Sequence, residues 1–164
     1  MKEKYKVAIM DMAERFAQTS EAIRLKVASF IYKNDSIISM GINGSPKGWV
    51  SNVCEDAEYL SEENEWMYEF PEKEFPYSDS DGRRYKLVTK DIVRHAEVNA
   101  LDKLRRSSES TLGADIFCTH APCLNCSIQI VESGINKLYY RHQYRDTSGL
   151  EYLEKNGVEI EQVT

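Results

Sequence analysis

The spacing of hydrophobic residues near the start of the chain predicts one helix followed by two strands. Residues 8–23 carry apolar side chains at helical intervals. The residues that define this stripe are Ile9, Met12, Phe16 and Ile23. Residues 27–32 and 36–43 are rich in β-branched and aromatic side chains, and polar residues 33–35 separate them. Two such runs joined by a short polar segment are typical of a β-hairpin.

The central part of the chain, residues 44–90, shows no sustained hydrophobic period. Glycine and proline interrupt it repeatedly, at positions 44, 46, 48, 71, 76 and 82. We therefore predict a long loop with some helix near 57–68. Structureless loops of this length are uncommon in compact domains. Residues 55–90 are thus expected either to cover a functional site or to form a family-specific insertion.

The second half of the chain alternates between helical and strand patterns. Helices are predicted at 92–106, 122–133 and 148–155, and strands at 114–119, 137–142 and 158–163. Such alternation is typical of a layered α/β domain with crossover helices. With the antiparallel hairpin added, we predict a single domain over residues 1–164 that contains a five-stranded mixed sheet.

Charge is distributed unevenly along the 164 residues, which carry a formal net charge of −6. Eleven acidic residues lie in the centre, against one lysine, at positions 55, 56, 58, 62, 63, 65, 69, 72, 74, 79 and 81. We expect this stretch to be solvated. Because tight binding to a polyanion needs many Lys and Arg contacts, a long nucleic acid is a poor candidate partner. A single phosphate held by one or two arginines is compatible with this charge.

The apolar runs and the cysteine count bear on the cellular compartment. No apolar run approaches the roughly 20 residues needed to cross a bilayer, and the N-terminal segment lacks the apolar core of a signal peptide. We expect a cytoplasmic protein with no membrane partner. In that compartment, four cysteines indicate metal binding or catalysis before disulfides.

One acidic residue lies on a predicted apolar helix face. On a helix over 95–106, Glu97 shares its face with three apolar residues, which are Ala100, Leu101 and Leu104. Burying an unpaired carboxylate costs several kcal/mol or makes the group take up a proton. This placement predicts a functional role for Glu97.

A Cys-x-x-Cys pair begins the next predicted helix. Cys123 and Cys126 follow Pro122, where free backbone N–H groups and the helix dipole favour thiolates. The spacing alone fits a redox pair, two buried core cysteines or half of a four-ligand structural zinc site. The other ligand candidates for a structural site are His95, His120, His142, Cys54 and Cys118.

His95 joined to this cysteine pair gives three ligands. That is the number which a catalytic zinc ion uses while its fourth position stays open to water. Glu97, two residues after His95, would then lie beside that water as the acid and base. Since this interpretation also accounts for the buried carboxylate, we favour a catalytic zinc site over the structural and redox alternatives.

The same residues resemble a known family signature. His95-Ala96-Glu97 followed by Pro122-Cys123-Leu124-Asn125-Cys126 resembles the H-x-E…P-C-x-x-C pattern of zinc-dependent nucleobase deaminases. Residues 26–48, the stretch "HAEVNAL" and the ending "ESGINKLYY…YRD" are similar to deoxycytidylate (dCMP) deaminases in particular. The resemblance covers roughly 5–50 and 92–163.

The resemblance implies a fold, a reaction and a cofactor. The fold would be the three-layer αβα arrangement of the cytidine deaminases, and the reaction would convert dCMP to dUMP and ammonia for thymidylate synthesis. One catalytic Zn²⁺ would be held by His95, Cys123 and Cys126, with Glu97 as the catalytic residue. Some members hold a second, structural zinc through Cys and His of the central region. Residues 55–94 contain neither, so we expect one ion.

Family resemblance also implies residues for the nucleotide. Asn43 would contact the sugar, Arg24 the phosphate with Ser20 nearby, and Tyr144 would reach the phosphate as well. Backbone groups of Thr119, His120 and Ala121 would contact the base. Three of these residues could instead have an ordinary structural role. Asn43 could be a turn residue, Arg24 an exposed arginine at a helix end and Tyr144 a surface aromatic.

Regulation is a further implication of the resemblance. Many dCMP deaminases are homohexamers that dCTP activates and dTTP inhibits, with Mg²⁺ on the triphosphate. The effector loop would be residues 43–48, with Gly44 and Lys47 near the phosphates. Arg106 matches an arginine linked to that response. We therefore expect a homo-oligomer. Separately, we expect dCTP to activate the protein and dTTP to inhibit it.

Two other functions compete with dCMP deamination. A deaminase of tRNA or single-stranded DNA would keep the chemistry, but the acidic surface and the lack of interleaved basic and aromatic residues argue against it. A non-catalytic, zinc-stabilised nucleotide sensor would have no use for Glu97. We therefore predict an enzyme with a small nucleotide substrate.

Overall fold

Helices and strands follow one another much as the hydrophobic pattern predicts, except in the centre. The computed structural model describes residues 1–61, 63 and 65–164. The strands in these residues are β1 (Ala28–Lys33), β2 (Ser36–Ile42), β3 (Glu55–Tyr59), β4 (Tyr77–Ser78), β5 (Arg84–Thr89), β6 (Asp115–His120), β7 (Lys137–His142) and β8 (Glu159–Gln162). The helices are α1 (Glu3–Ala17), α2 (Pro71–Glu74), α3 (Ala96–Leu104), α4 (Leu124–Glu132) and α5 (Ser148–Lys155), with one 3₁₀ turn at Glu65–Met67.

The main sheet has five strands in the order β2-β1-β6-β7-β8. Strand β1 pairs antiparallel with both β2 and β6, whereas β7 pairs parallel with both β6 and β8. The turn between β1 and β2 contains Asn34 and Asp35, both with positive φ, as two-residue hairpin turns require. The predicted five-stranded mixed sheet is therefore confirmed.

Helices cover both faces of this sheet. Neighbouring residues of a strand point to opposite faces, and the pairs Phe30/Ile31 and Phe117/Ile116 are buried on both sides. Phe30 and Phe117 pack with α1, while Ile31 and Ile116 pack with α3, α4 and α5. The protein thus has the predicted three layers, with a hydrophobic core on each side of the sheet.

The first helix differs from its prediction in extent and in its buried face. It ends at Ala17 rather than near residue 23. Met12 and Ile23 are 53% and 65% exposed, whereas the buried positions of α1 are Ile9, Met10, Ala13 and Ala17. Alanines face the sheet because they allow the helix to approach it closely. The predicted apolar face is therefore confirmed at Ile9, which is buried, and at Phe16, which packs against Phe30, but it is wrong at Met12 and Ile23.

The centre of the chain forms a small second sheet in the order β3-β5-β4. The prediction of a loop with helix near 57–68 was wrong, apart from the short 3₁₀ turn. Residues 62 and 64 of this predicted helix lie outside the described residues. Cross-strand pairs such as Glu58 with Lys86, at 2.8 Å, and Tyr77 stacked on Tyr85 hold these strands together. Because such pairs lie on an exposed surface, they leave no alternating apolar pattern in the sequence.

The remaining elements agree closely with their predictions. Strand β7 and helix α5 have the predicted bounds, while α3 and α4 begin later than 92 and 122. Among the described residues, we find no helix that is both long and apolar enough to cross a membrane.

Candidate active site

Three metal-ligand side chains meet where α3 and α4 begin. His95 is the residue that precedes α3, Cys123 precedes α4, and Cys126 lies in the first turn of α4. His95 Nδ1 is 3.6 Å from Cys123 Sγ and 3.3 Å from Cys126 Sγ. The ligand atoms of the three residues all lie within 4.8 Å of one another. The geometry thus brings together the three ligands that sequence spacing predicts.

These distances fit a tetrahedral zinc ion. Zn–N bonds of about 2.0–2.1 Å and Zn–S bonds of about 2.3 Å place nitrogen and sulfur about 3.6 Å apart at a tetrahedral angle. In the described part of the chain, the cluster contains no fourth His, Cys, Asp or Glu. A closed structural site needs four protein ligands. The three residues therefore fit a site with one position open, and the other candidates, His120, His142, Cys54 and Cys118, lie outside it.

The two cysteines share a proton. A hydrogen bond from Cys126 is the main reason why the pKa of Cys123 falls to about 4. The same contact, together with burial, raises the pKa of Cys126. The hydrogen bond to Cys123 also raises the pKa of His95. Metal binding must displace these protons, so affinity for the ion falls as the pH falls.

Glu97 is buried beside this cluster. Its side chain is 4% exposed, and it shares the buried face of α3 with Ala100, Leu101 and Leu104, as predicted. Burial raises the pKa of Glu97 because the charged carboxylate loses solvation. Glu97 also lines the cavity into which His95 and Cys123 open. The carboxyl group of Glu97 is thus placed where it can exchange protons with a small molecule bound in the cavity.

The cavity has a volume of about 340 Å³, within the range of small-molecule sites. Its wall includes five of the residues that the family resemblance assigns to the nucleotide, which are Arg24, Asn43, His120, Ala121 and Tyr144. One cavity therefore joins the metal cluster to the side chains expected around a sugar and a phosphate.

Ser20 is not among the described residues that line the cavity. It is buried, and its hydroxyl donates to the backbone carbonyl of Asn43 at 2.7 Å and lies 2.9 Å from Asn43 Oδ1. The Asn43 amide also accepts from the backbone N–H of Val27 and donates to the carbonyl of Leu25. Ser20 thus holds Asn43 in place, which differs from direct contact with a substrate.

Thr119 has a similar supporting position. It is fully buried, accepts a hydrogen bond from the backbone N–H of Ala28 and lies 3.2 Å from His120 Nδ1 through its hydroxyl. The N–H of Ala121 donates to the carbonyl of His142. This N–H is therefore already occupied, although Ala121 itself lies in the cavity wall.

The loop assigned to effectors is tied to the metal cluster through the backbone. Gly44 and Arg94 exchange two backbone hydrogen bonds of 3.1 and 2.9 Å, and Arg94 precedes His95. Lys47 is exposed. Arg106 is also exposed but follows the far end of α3, a helix about 13 Å long. Within one chain, the structure does not bring Arg106 to Gly44 and Lys47.

Three polar residues of the cavity wall are missing from the sequence prediction. They are Glu55, Thr89 and Arg145. Arg145 adjoins Tyr144 in the sequence, so the resemblance of "YRD" gave a usable signal. Glu55 was expected on a solvated acidic surface, but it is only 5% exposed. Its place in an acid-rich run of otherwise solvated residues concealed it.

Residues 3–142 match the cytidine and deoxycytidylate deaminase zinc-binding region. The chain belongs to this family. Zinc is supported as the cofactor by this family membership and by the cluster of His95, Cys123 and Cys126. The family predicted from the two sequence motifs is confirmed.

Individual members of the deaminase family resemble the chain over nearly its whole length. The deoxycytidylate deaminase of Enterobacteria phage T4 is 32% identical, over 93% of this chain and 86% of the relative. A crystal structure of the dCMP deaminase from cyanophage S-TIM5, in complex with dCMP and dUMP, superposes with a TM-score of 0.77. It is 39% identical and covers 99% of this chain and 98% of the cyanophage chain. The predicted deaminase fold is thus confirmed.

A more distant structure shows how widely this fold is used. A tRNA:A34 deaminase superposes with a TM-score of 0.53 at 15% identity, covering 96% of this chain and 98% of that one. At this identity the likeness concerns the fold alone. The substrate must therefore be argued from the cavity and from the closer relatives.

Proposed function

We propose that this chain is a deoxycytidylate deaminase, which hydrolyses dCMP to dUMP and ammonia. The observation that carries the proposal is the buried Glu97 beside a three-ligand metal cluster in a cavity whose wall also contains two arginines, Arg24 and Arg145. Relatives at 32% and 39% identity are named for the same substrate, and one was crystallised with dCMP and dUMP.

Three side chains of the cluster would hold the cofactor. They are His95, through Nδ1, and the sulfur atoms of Cys123 and Cys126. When bound, zinc supplies a Lewis acid that lowers the pKa of a water molecule in its open position. The three protein ligands thereby fix where the nucleophile lies relative to Glu97.

Glu97 moves the protons of the reaction. Its carboxylate takes a proton from the attacking water, whose oxygen forms a bond to C4 of the cytosine ring. The protonated carboxyl group then donates to ring N3. It next takes the remaining proton of the attacking oxygen and passes it to the 4-amino group, so that the C4–N bond breaks, C4 becomes a carbonyl and ammonia leaves. Water and dCMP thus give dUMP and ammonia, and Glu97 returns to its starting form. Burial of Glu97 keeps bulk water away from these transfers.

The phosphate of dCMP would be bound by two arginines of the cavity wall, Arg24 and Arg145, and by the hydroxyl of Tyr144. Arg24 donates to the hydroxyl of Thr89 at 3.1 Å, which orients its guanidinium group. Arg145 lies near the ring of Tyr144, at 5.9 Å from its centroid. Because arginine matches phosphate with several N–H donors, these residues favour a nucleotide over a nucleoside.

Regulation by dCTP and dTTP, with Mg²⁺ on the triphosphate, and assembly into a hexamer are part of the same proposal. The backbone pairing of Gly44 with Arg94 supports it, since a ligand that moves residues 43–48 also pulls on the residue before His95. Arg106 would meet such a ligand from another subunit, because its own α3 separates it from Gly44. Initial rates with each effector, and the mass of the particle in solution, test this part.

The substrate is tested by measuring ammonia release from dCMP, CMP, deoxycytidine and dCTP by the purified, zinc-loaded protein. We expect dCMP to give the highest kcat/KM, with deoxycytidine at least about 100-fold lower because the charged hydrogen bonds to the phosphate are lost. Equal rates with deoxycytidine would exclude the phosphate role of Arg24 and Arg145. Activity on a single-stranded oligonucleotide or tRNA alone would identify another deaminase, and binding without turnover would identify a sensor.

A further inference from the structure

His120 is a polar residue of the cavity wall whose side chain the proposed reaction does not use. It ends β6 and is only half-buried, so a ligand in the cavity can reach its ring. Its Nδ1 lies 3.2 Å from the hydroxyl of Thr119. The other ring nitrogen, Nε2, has no hydrogen-bond partner among the described residues. The ring therefore has one nitrogen bound by the protein and one available to a ligand.

The contacts of Thr119 determine which nitrogen of His120 carries the proton. The Thr119 hydroxyl accepts a hydrogen bond from the backbone N–H of Ala28 at 3.1 Å. Its own proton is thus available for donation, and His120 Nδ1 is the acceptor beside it. In a neutral imidazole one nitrogen accepts and the other donates, so we assign the proton of His120 to Nε2. The cavity wall therefore presents an N–H donor at this position.

The ring of His142 packs against the ring of His120. Their centroids are 4.8 Å apart, since the two residues are opposite each other in the pairing of β6 with β7. His142 Nε2 is in turn 2.8 Å from the carboxyl group of Glu14 on α1. Burial, and then the nearby His142, lower the pKa of His120 against a smaller opposite effect of Glu14. His120 is therefore an uncharged donor.

The order of strands places His120 between the two arginines of the cavity. Strand β6 lies between β1, which is antiparallel to it, and β7, which is parallel to it. The start of β1 and the ends of β6 and β7 thus meet at one edge of the sheet. Arg24 comes shortly before β1, and Arg145 comes shortly after β7. A phosphate that contacts both arginines therefore lies over the end of β6, where His120 is.

The absence of charge on His120 suits this position. Between two guanidinium groups, a third positive charge would be repelled. An uncharged N–H adds a hydrogen bond to the phosphate without that repulsion. Because the acceptor is charged, such a bond contributes more than one between two neutral groups.

We propose that His120 binds the phosphate of the nucleotide through its Nε2–H and thereby helps the enzyme to select a nucleotide over a nucleoside. The family resemblance implies a contact of the base with the backbone of this residue, so the role of the side chain is additional. This inference rests on the proposed deamination of dCMP.

The kinetic test compares two substrates and three proteins. The values of kcat/KM are measured for dCMP and for deoxycytidine with the zinc-loaded wild type, His120→Leu and His120→Gln. Leucine fills similar space without a donor, whereas the amide nitrogen of glutamine can take the position of Nε2. Deoxycytidine has no phosphate, so its turnover reports any general damage to the site.

We expect His120→Leu to lower kcat/KM for dCMP by about 10- to 100-fold, as for one hydrogen bond to a charged group, and to leave the deoxycytidine value within about twofold. His120→Gln should stay within about fivefold of the wild type on dCMP, because it keeps a donor. The preference for the nucleotide thus falls in His120→Leu and returns in His120→Gln.

Nitrogen-15 NMR of the histidine rings tests the same contact without relying on a variant. The chain has three histidines, so the spectrum of the zinc-loaded wild type contains few ring signals. At neutral pH we expect the proton of His120 on Nε2. Saturating dUMP, which carries the phosphate, should move the Nε2 signal, whereas saturating deoxyuridine should leave it in place. A proton on Nδ1, or an equal response to both compounds, would contradict the phosphate contact.

The remaining outcomes separate this inference from the proposed function. If the wild type prefers dCMP but His120→Leu lowers both kcat/KM values equally, His120 only maintains the shape of the cavity, and the inference fails. If His120→Leu changes neither value, the arginines bind the phosphate without His120, and the inference fails as well. If the wild type deaminates neither compound, the proposed function itself fails.

Discussion

At the scale of single residues, two helix starts determine the chemistry. His95 and Cys123 each occupy the position before a helix, and Glu97 and Cys126 lie in the first turns. Free backbone N–H groups and the helix dipole favour negative charge at these positions. Thiolates and a carboxylate are therefore concentrated at one point without a large positive side chain among them.

The metal cluster leads to a prediction about bound zinc. Replacing His95 by Ala removes one of three ligands, so we expect the purified variant to retain less than about a tenth of the zinc held by the wild type, since removing a supporting group alone costs 10- to 100-fold in affinity. His142→Gln is the matched control, because His142 pairs with Glu14 at 2.8 Å outside the cluster. Metal content measured after dialysis decides the question. Full zinc content in His95→Ala would remove His95 from the site.

One charged group links stability to pH. Glu161 lies between Lys6 and Lys137, and their hydrogen bonds lower the pKa of its carboxyl group in the folded protein. A lowered folded pKa contributes stability above the unfolded pKa, which is about 4.3 for Glu, and this contribution is lost as the pH falls through the folded value. We expect Glu161→Gln to have a lower Tm than the wild type at pH 7.

The difference between these two melting temperatures should shrink steadily as the pH falls below about 4.3. Thermal unfolding of both proteins at pH 7 and at several pH values below 5 measures it. A difference that stays constant or grows at acid pH would show that Glu161 does not stabilise the fold through its charge. Comparing two proteins at each pH cancels the titration of all other carboxyl groups.

At the scale of helices and strands, close packing positions the site. A methyl group on Gly41 of β2 would lie 2.1 Å from the carbonyl oxygen of Ala96 and 2.5 Å from the backbone nitrogen of Ala100. Strand β2 thus touches the backbone of α3 next to Glu97. Because backbone atoms cannot rotate away, any side chain at residue 41 must displace the helix that carries Glu97.

We therefore predict that Gly41→Ala destabilises the protein by about 1–3 kcal/mol, the usual cost of overpacking. For a domain of this size, that corresponds to a fall in Tm of very roughly 2–12 °C. Gly44→Ala is the matched control, since an added methyl group there meets no atom of the described residues within 4 Å. A Gly41→Ala protein with wild-type Tm and activity would contradict the account of how α3 is positioned.

The same scale shows which elements a sequence pattern can predict. Strand β7 and helix α5 have apolar periods and glycine stops, and both were predicted with their observed bounds. The face of α1 was predicted only in part: Ile9 and Phe16 pack in the core as predicted, but Met12 is exposed, and the buried Ala13 and Ala17 give a weak hydrophobic signal. Strands β3–β5 were missed because charge and aromatic pairs stabilise them on an exposed surface, and hydrophobic spacing does not record such pairs.

At the scale of the whole molecule, the fold brings distant segments to one cavity. The zinc ligands and Glu97 could be predicted because each pair is close in sequence and lies on one helix turn. Glu55 and Arg145 could not be predicted from spacing, since they meet only through the pairing of β3 with β5 and the end of β7. Local patterns thus identified the candidate metal ligands and Glu97, whereas the three-dimensional arrangement was needed to find the other polar residues of the cavity wall.

The central claim is that Glu97 transfers the protons of a zinc-dependent deamination, and Glu97→Gln tests it most directly. We expect this variant to fold, to bind one zinc ion and to show kcat on dCMP about 100- to 10,000-fold below the wild type, the range for loss of general acid–base catalysis. Glu132→Gln, an exposed substitution at the end of α4, should keep full activity. A zinc-loaded Glu97→Gln protein with kcat within about twofold of the wild type would contradict the account, because such a small change leaves no catalytic contribution for Glu97.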